Sequence, residues 1–302
     1  MHDIIIIGAG PAGLTAALYA LRADKSVLVL EKGTFGGQIT YSPQIENYPG
    51  FERMSGNEFA EKLIDQVLNQ GAEIEMETVT GIIDKGKTKT VVTEEGSHEA
   101  RAVIIATGVK HRKIGLPNEN ELVGSGISYC AVCDGAFFKN QTVAVLGGGN
   151  SALQEAVLLS EGCSEVYVIQ NLDYFTGEAR LVEKLKGKDN VKLITGTVIS
   201  AIHGETELES LTLKKVADGS ESELKVNGLF VAIGLIPNNS NFAEIAGLDE
   251  WGYINSDEAC LTRTPGVFTA GDCRKKQIRQ ITTAAADGSV SALAACRYID
   301  NL

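Results

Sequence analysis

At 302 residues the chain has room for two domains of ordinary size, and its 44% hydrophobic and 22% charged residues are the balance of a soluble globular protein. A net charge of -12 argues against nucleic acid as a partner, because neutralising phosphates takes clustered Lys and Arg. An acidic protein partner remains open, since local patches matter more than the sum.

The apolar run Ile4 to Ile7 leads into a glycine turn at Gly8, Gly10 and Gly13, then a helix to Leu21 and a strand from Val27 to Leu30 ending at Glu31. The first twenty residues open on His2 and Asp3 instead of a basic region, and glycines and Pro11 interrupt them. They are therefore expected to be strand, turn and helix and not a targeting segment. No other stretch is long enough to span a bilayer, so no membrane partner and a cytoplasmic location are expected. Short β-rich runs follow at Glu73 to Ile83 and Thr88 to Thr93, and then an apolar strand from Ala102 to Gly108.

The second half copies this order. Val143 to Leu159 reads as strand, glycine turn (Gly147, Gly149, Ala152) and helix. Val166 to Ile169 is the next strand, Val191 to Ile202 and Leu211 to Val216 are β-rich, and Leu229 to Gly234 closes the copy. Two copies of one plan predict an α/β protein with two Rossmann-like, three-layer nucleotide-binding domains, the second inserted into the first. The expected division is 1-112 with 241-302 for the outer domain and 113-240 for the insert. The remaining stretch ends an apolar strand at Gly271 and Asp272 and closes on a helix near Thr283 to Tyr298, whose N-terminus would suit a pyrophosphate or flavin edge.

Each glycine turn has a diagnostic residue 23 positions after its first glycine, where a carboxylate grips a ribose hydroxyl or a nearby Arg grips a 2′-phosphate. In the first copy it is Glu31, and a dinucleotide is expected there; the plain alternative is a tight turn in a nucleotide-free domain. In the second copy it is Gln170, neither acid nor base. The segment Gln170, Asn171, Leu172, Asp173, Tyr174, Phe175, Thr176 offers no cation.

Six cysteines occur, and only Cys130 and Cys133 share a C-x-x-C spacing, followed by Asp134. Such a pair suits disulfide exchange, one thiol attacking and the other resolving, with Asp134 moving the proton. Half a zinc site is the alternative, but zinc needs about four ligands and no second pair exists. Cys163, Cys260, Cys273 and Cys296 are expected to be packing residues, and the four histidines form no cluster with one another in the sequence.

With these motifs in hand the chain resembles the low-molecular-weight flavin thioredoxin reductases over nearly its whole length. The matching residues are the first glycine turn with Glu31, Gly36-Gly37-Gln38, Glu46 to Gly50 with Asn47, Ala106-Thr107-Gly108, the dithiol, Gly271-Asp272 and Arg279-Gln280. The resemblance implies FAD, with Gln38, Asn47, Asp272 and Gln280 lining it. It also implies Cys133 against the flavin, Cys130 as outer thiol, Asp134 as acid, thioredoxin as substrate and a homodimer. The chain departs from the family at Asn150-Ser151-Ala152 with Gln154 before Glu155, and above all where the family's three NADPH-binding arginines fall on Asn171, Leu172 and Thr176. Losing several charge-assisted phosphate contacts should cost several kcal/mol.

That pattern is closest to the ferredoxin-dependent members, in which an iron–sulfur protein supplies electrons and pyridine nucleotide is not used. Ferredoxin is therefore the expected donor, docking on Lys110 to Lys113 or on Arg274, Lys275, Lys276 and Arg279. NADH- or NADPH-dependent disulfide reduction and a redox-inactive FAD-binding regulatory protein are the alternatives.

Overall fold

A computed structural model describes residues 1–42 and 45–302. The chain divides into two compact units, Met1–Lys110 with Ile236–Leu302, and His111–Leu235. The crossings thus fall two and five residues earlier than the expected 112/113 and 240/241. Both lie on short strands, Val109–His111 and Leu235–Pro237, because the backbone there is already committed to pairing.

In the outer unit the strands Glu73–Met76, Val27–Glu31, His2–Ile7, Ser97–Ile105 and Val267–Thr269 lie side by side in that order, all parallel. Alternation sets the two faces. Ile4, Ile6, Val27, Val29 and Ile104 pack under the helices Pro11–Arg22 and Ile281–Asp300. Ile5, Ile7, Leu28, Leu30 and Ile105 pack on the opposite side with Phe242 and Ala246. The antiparallel layer is here continuous with the main sheet. Ser97–Ile105 is long enough for its first residues to pair with Lys89–Thr93 while the rest pairs with His2–Ile7.

The inserted unit repeats the parallel core as Val191–Ile194, Glu165–Ile169, Thr142–Leu146, Gly228–Val231 and Ile127–Ser128. Val143, Val145, Val166 and Val168 face the helix Asn150–Leu159 through Ala152, Leu153 and Ala156. Ala144, Leu146, Ile169 and Leu229 face the other way, onto a separate antiparallel sheet of Thr197–His203, Ser210–Lys215 and Glu221–Lys225. In both units helices cover one face and a β-layer covers much of the other. Among the described residues no helix is long and apolar enough to cross a membrane.

Among the described residues, two helices of eight or more residues lie outside the sequence expectation, Gly56–Leu68 and Ala179–Lys186. The first carries a readable start signal, since Ser55 caps it by accepting a hydrogen bond from the Glu58 amide at 3.1 Å.

Candidate functional site

The first glycine turn is built for close approach. A Cβ on Gly13 would stand 1.9 Å from the Gly8 carbonyl oxygen, and one on Gly8, at φ +110°, would stand 2.4 Å from that of Ala106. Turn, helix and the Ala106-Thr107 strand end therefore interlock only with glycine at both positions. Gly10 is the N-cap of Pro11–Arg22 and offers no side chain to its free amides, so that helix start is open to an anion. Glu31 clips the rim: its carboxylate accepts from the amides of Ala9 and Gly33, each at 2.9 Å.

The remaining expected residues of this unit assemble around the turn. Gly36 donates to Ala9, and Gly37 packs on Gly10. The Gln38 amide donates to the carbonyl oxygen of Val109, next to Gly108, and Thr107 donates to Asn239 at 2.8 Å. Gly271 packs on Ala12 in the first turn of the helix. Asn47 donates to Gln280 at 3.2 Å, while Gln280 also caps its own helix in a reciprocal box with Thr283. Arg279 donates to the Asp272 carbonyl and lies 4.4 Å over the Tyr253 ring.

Asp272 is the residue that asks for a ligand. One of its carboxylate oxygens, Oδ1, is buried with no hydrogen-bond partner, and burial pushes its carboxyl up to about 6 despite the cations Lys276 and Arg279. An orphan acceptor at the strand end, beside an uncapped helix and a carboxylate-clipped glycine turn, fits a dinucleotide with ribityl and ribose hydroxyls to donate.

The second glycine turn is different. A Cβ on Gly148 would lie 2.4 Å from both Cδ and Nε2 of Gln170, so the buried Gln170 side chain fills the space beside the turn. Gln170 donates to the Tyr174 carbonyl at 3.4 Å and accepts from the Asn171 amide at 3.2 Å. The following loop is stitched across the turn. Gly177 and Thr176 both donate to the Gly148 carbonyl, and Glu178 donates its amide to Asn150 Oδ1 at 2.7 Å. Glu155, on the same helix, has an unpartnered buried oxygen, and burial pushes its carboxyl up to about 7.

Cys130 and Cys133 form a disulfide with Cα atoms 5.3 Å apart, at the start of a single helical turn, Ala131–Asp134. The Cys133 amide donates to the Cys130 sulfur at 3.2 Å. Asp134 is raised by burial and pulled back by Ser128, whose hydroxyl donates to Oδ2 at 2.6 Å; Oδ1 is buried without a partner. Ser128 also accepts from the Cys130 amide at 3.1 Å, so one hydroxyl ties the acid to the dithiol. Nothing in the sequence marks Ser128, because its role depends on a strand ending beside the turn. Cys163, Cys260, Cys273 and Cys296 are all buried, and burial raises each thiol.

One expectation fails here. Arg274 and Lys276 do not form a free basic patch: both are buried against the Asp287 carboxylate at 2.8 Å, leaving only Lys275 of the three exposed. In the other stretch Lys110, Arg112 and Lys113 are exposed, whereas His111 packs at a tilt against Tyr129 with ring centroids 4.9 Å apart.

Residues 2–288 match the family described as pyridine nucleotide-disulphide oxidoreductase. A thioredoxin reductase of Listeria innocua is 41% identical over all of this chain and 95% of its own length. A 34.2 kDa protein in the rubredoxin operon of Clostridium pasteurianum is 41% identical over 98% of this chain and 97% of its own. The crystal structure of thioredoxin reductase from Streptococcus pyogenes matches with a TM-score of 0.96 at 38% identity, covering 100% of this chain and 99% of that one.

Proposed function

This chain belongs to the pyridine nucleotide-disulphide oxidoreductase family and its cofactor is FAD, and on that premise we propose that it reduces thioredoxin or a thioredoxin-like protein, with reduced ferredoxin as electron donor. Glu31 would hold the adenosine ribose, the open start of Pro11–Arg22 the pyrophosphate, and Asp272 a ribityl hydroxyl. Bound FAD supplies the chemistry that delivers two electrons as a pair to a disulfide.

The protein's own residues manage the dithiol. Opening the Cys130–Cys133 disulfide takes two electrons and, for two neutral thiols, two protons. Asp134, held near the thiols by Ser128 and raised by burial above the usual carboxylate range, supplies one of these protons. One thiolate then attacks the thioredoxin disulfide to give a mixed disulfide and a leaving thiolate, which Asp134, reprotonated from solvent, protonates; the second thiol of the pair returns its proton to Asp134 and resolves the mixed disulfide. Cys130 is assigned the outer, attacking role and Cys133 the inner one. The product is reduced thioredoxin, and the Cys130–Cys133 disulfide forms again.

The observation that carries the donor assignment is Gln170 lying in the second glycine turn, with Glu178 beside it and no cation from Gln170 to Thr176. A 2′-phosphate would find no cation in that segment, and the neighbouring Glu178 carboxylate is itself paired with Arg180 at 2.5 Å. Lys110, Arg112 and Lys113 supply the local positive charge that an acidic carrier needs on a chain of net charge -12.

A pyridine-nucleotide donor is the second reading, favoured by the family's name and by the helix Asn150–Leu159, whose N-cap Gly149 has no capping side chain. Stopped-flow reduction of the bound flavin by NADPH, NADH and photoreduced ferredoxin decides between them. Rapid bleaching by ferredoxin with negligible response to either nucleotide is expected. Fast, saturable bleaching by NADPH or NADH overturns the donor assignment.

A further inference from the structure

The Asp272 turn is held from a distance by one buried carboxylate. Asp287 lies two turns into Ile281–Asp300 and is 6% exposed. Its oxygens accept four hydrogen bonds: from the Gly271 amide at 3.0 Å, from Arg274 Nε and Nη2 at 2.8 Å each, and from Lys276 Nζ at 2.8 Å. Arg274 is itself 3% exposed, and its amide returns to the Gly271 carbonyl at 3.2 Å. Asp287 therefore grips the turn on both sides of Asp272, at residue 271 and at residues 274 and 276. Gly271, at φ +78°, has Ala12 pressed within 2.8 Å of where a Cβ would stand, so the turn has little freedom to reseat elsewhere.

Surface stability does not explain this arrangement. Arg274 also meets the exposed Glu258 carboxylate at 3.5 Å, and apolar replacements of such buried ionic groups are often as stable. What the clamp does fix is the direction of a neighbouring carboxyl whose Oδ1 is left without a partner. We infer that Asp287, through Arg274 and the Gly271 amide, is a positioning residue for FAD: it aims the Asp272 carboxylate at the cofactor without reaching the cofactor itself. The inference rests on Asp272 being an FAD contact, as proposed above.

A double-mutant cycle on FAD affinity tests both statements separately. FAD dissociation constants are read from the fluorescence of released flavin for the wild type, Asp272→Asn, Asp287→Asn and the double variant. Asp272→Asn is expected to weaken FAD by about tenfold to a hundredfold, the usual effect of a lost hydrogen bond to a charged group. An unchanged constant in that variant overturns the contact itself. Asp287→Asn is expected to weaken FAD by about tenfold, and the double variant by no more than Asp272→Asn alone. Effects that multiply, or an Asp287→Asn variant that binds FAD normally, overturn the positioning role while leaving the contact intact. If Asp287→Asn does not fold, Arg274→Lys, which keeps the charge and loses the two-point grip, is read by the same criterion.

The pH profile adds a readout that loosened packing would not move. Asp272 faces Lys276, Arg279 and Asp287, and a flavin hydroxyl donating to it favours its ionised form. FAD binding should therefore weaken as pH falls through about 6. Removing the Asp287 charge should shift that midpoint to lower pH, and an unshifted midpoint counts against the clamp.

Discussion

Replacing Ser128 with Ala should move the alkaline limb of thioredoxin reduction to higher pH. The Ser128 hydroxyl donates to Asp134 at 2.6 Å, and it is the contact that offsets the upward push of burial on this carboxyl. A hydrogen bond to a charged group contributes about 1.5 to 3 kcal/mol, and 1.36 kcal/mol corresponds to about one pKa unit. Asp134 is only partly buried, so solvent screens some of that, and its carboxyl is expected to rise further when the hydroxyl is removed. As a proton donor Asp134 works while protonated, so activity is lost as pH rises through its pKa; a raised pKa carries the loss to higher pH. The assay mixes dithionite-reduced enzyme with oxidised thioredoxin between about pH 5 and 9, which removes the natural donor from the measurement. Ser128→Ala also loses the Cys130 amide contact, which should lower the plateau by up to about fivefold without moving the limb. Asp134→Asn should lower the rate by roughly 10²-fold and abolish the limb. A limb at the same pH in Ser128→Ala, or one that survives in Asp134→Asn, refutes Asp134 as the acid.

Cys130→Ser should keep a long-wavelength absorbance from a thiolate beside oxidised flavin, and Cys133→Ser should lose it; equal bands would reverse or dissolve the assignment of inner and outer thiols. Glu31→Gln, which leaves one neutral oxygen for one of the two amides and sets an NH2 group against the other, should weaken FAD by about tenfold to a hundredfold in flavin-release titrations. Flavin reduction by ferredoxin should slow as salt rises, because exposed charges are screened over about 8 Å at physiological ionic strength. Arg112→Glu with Lys113→Glu should slow it further at low salt, and an unchanged rate would remove this stretch as the dock.

The parallel cores were legible because buried strands write themselves as short β-branched runs. Ile4 to Ile7, Val143 to Leu146 and Val166 to Ile169 each lie within an observed strand, and the closing helix, expected near Thr283 to Tyr298, spans Ile281–Asp300. The helix Gly56–Leu68 is less legible although Ser55 and Glu58 signal its start, because no apolar strand flanks it in the sequence. The clamps escaped for a different reason. Ser128 reaches Asp134, and Asp287 reaches Arg274, only once a strand end and a helix are brought against a turn, and neither pair has a spacing that announces it. The basic run at 274 to 276 misled because charge in a sequence does not say whether a partner lies across the fold.

Comparing the two glycine turns position by position carries the functional argument furthest. In the first, the middle residue is Ala9, and the side chain 23 residues after the leading glycine is a carboxylate that takes the Ala9 amide and stays at the rim. In the second, the middle residue is Gly148, and the corresponding side chain is an amide that lies in the space a Cβ would need. A glycine there is not spare room for a nucleotide, because Gln170 already uses it. The loop from Tyr174 to Glu178 closes over the same turn through hydrogen bonds of its own. Missing arginines alone would leave a weak site, one that a high nucleotide concentration could fill. A carrier that needs no nucleotide pocket is proposed from this difference between the two turns, together with the missing cations from Gln170 to Thr176.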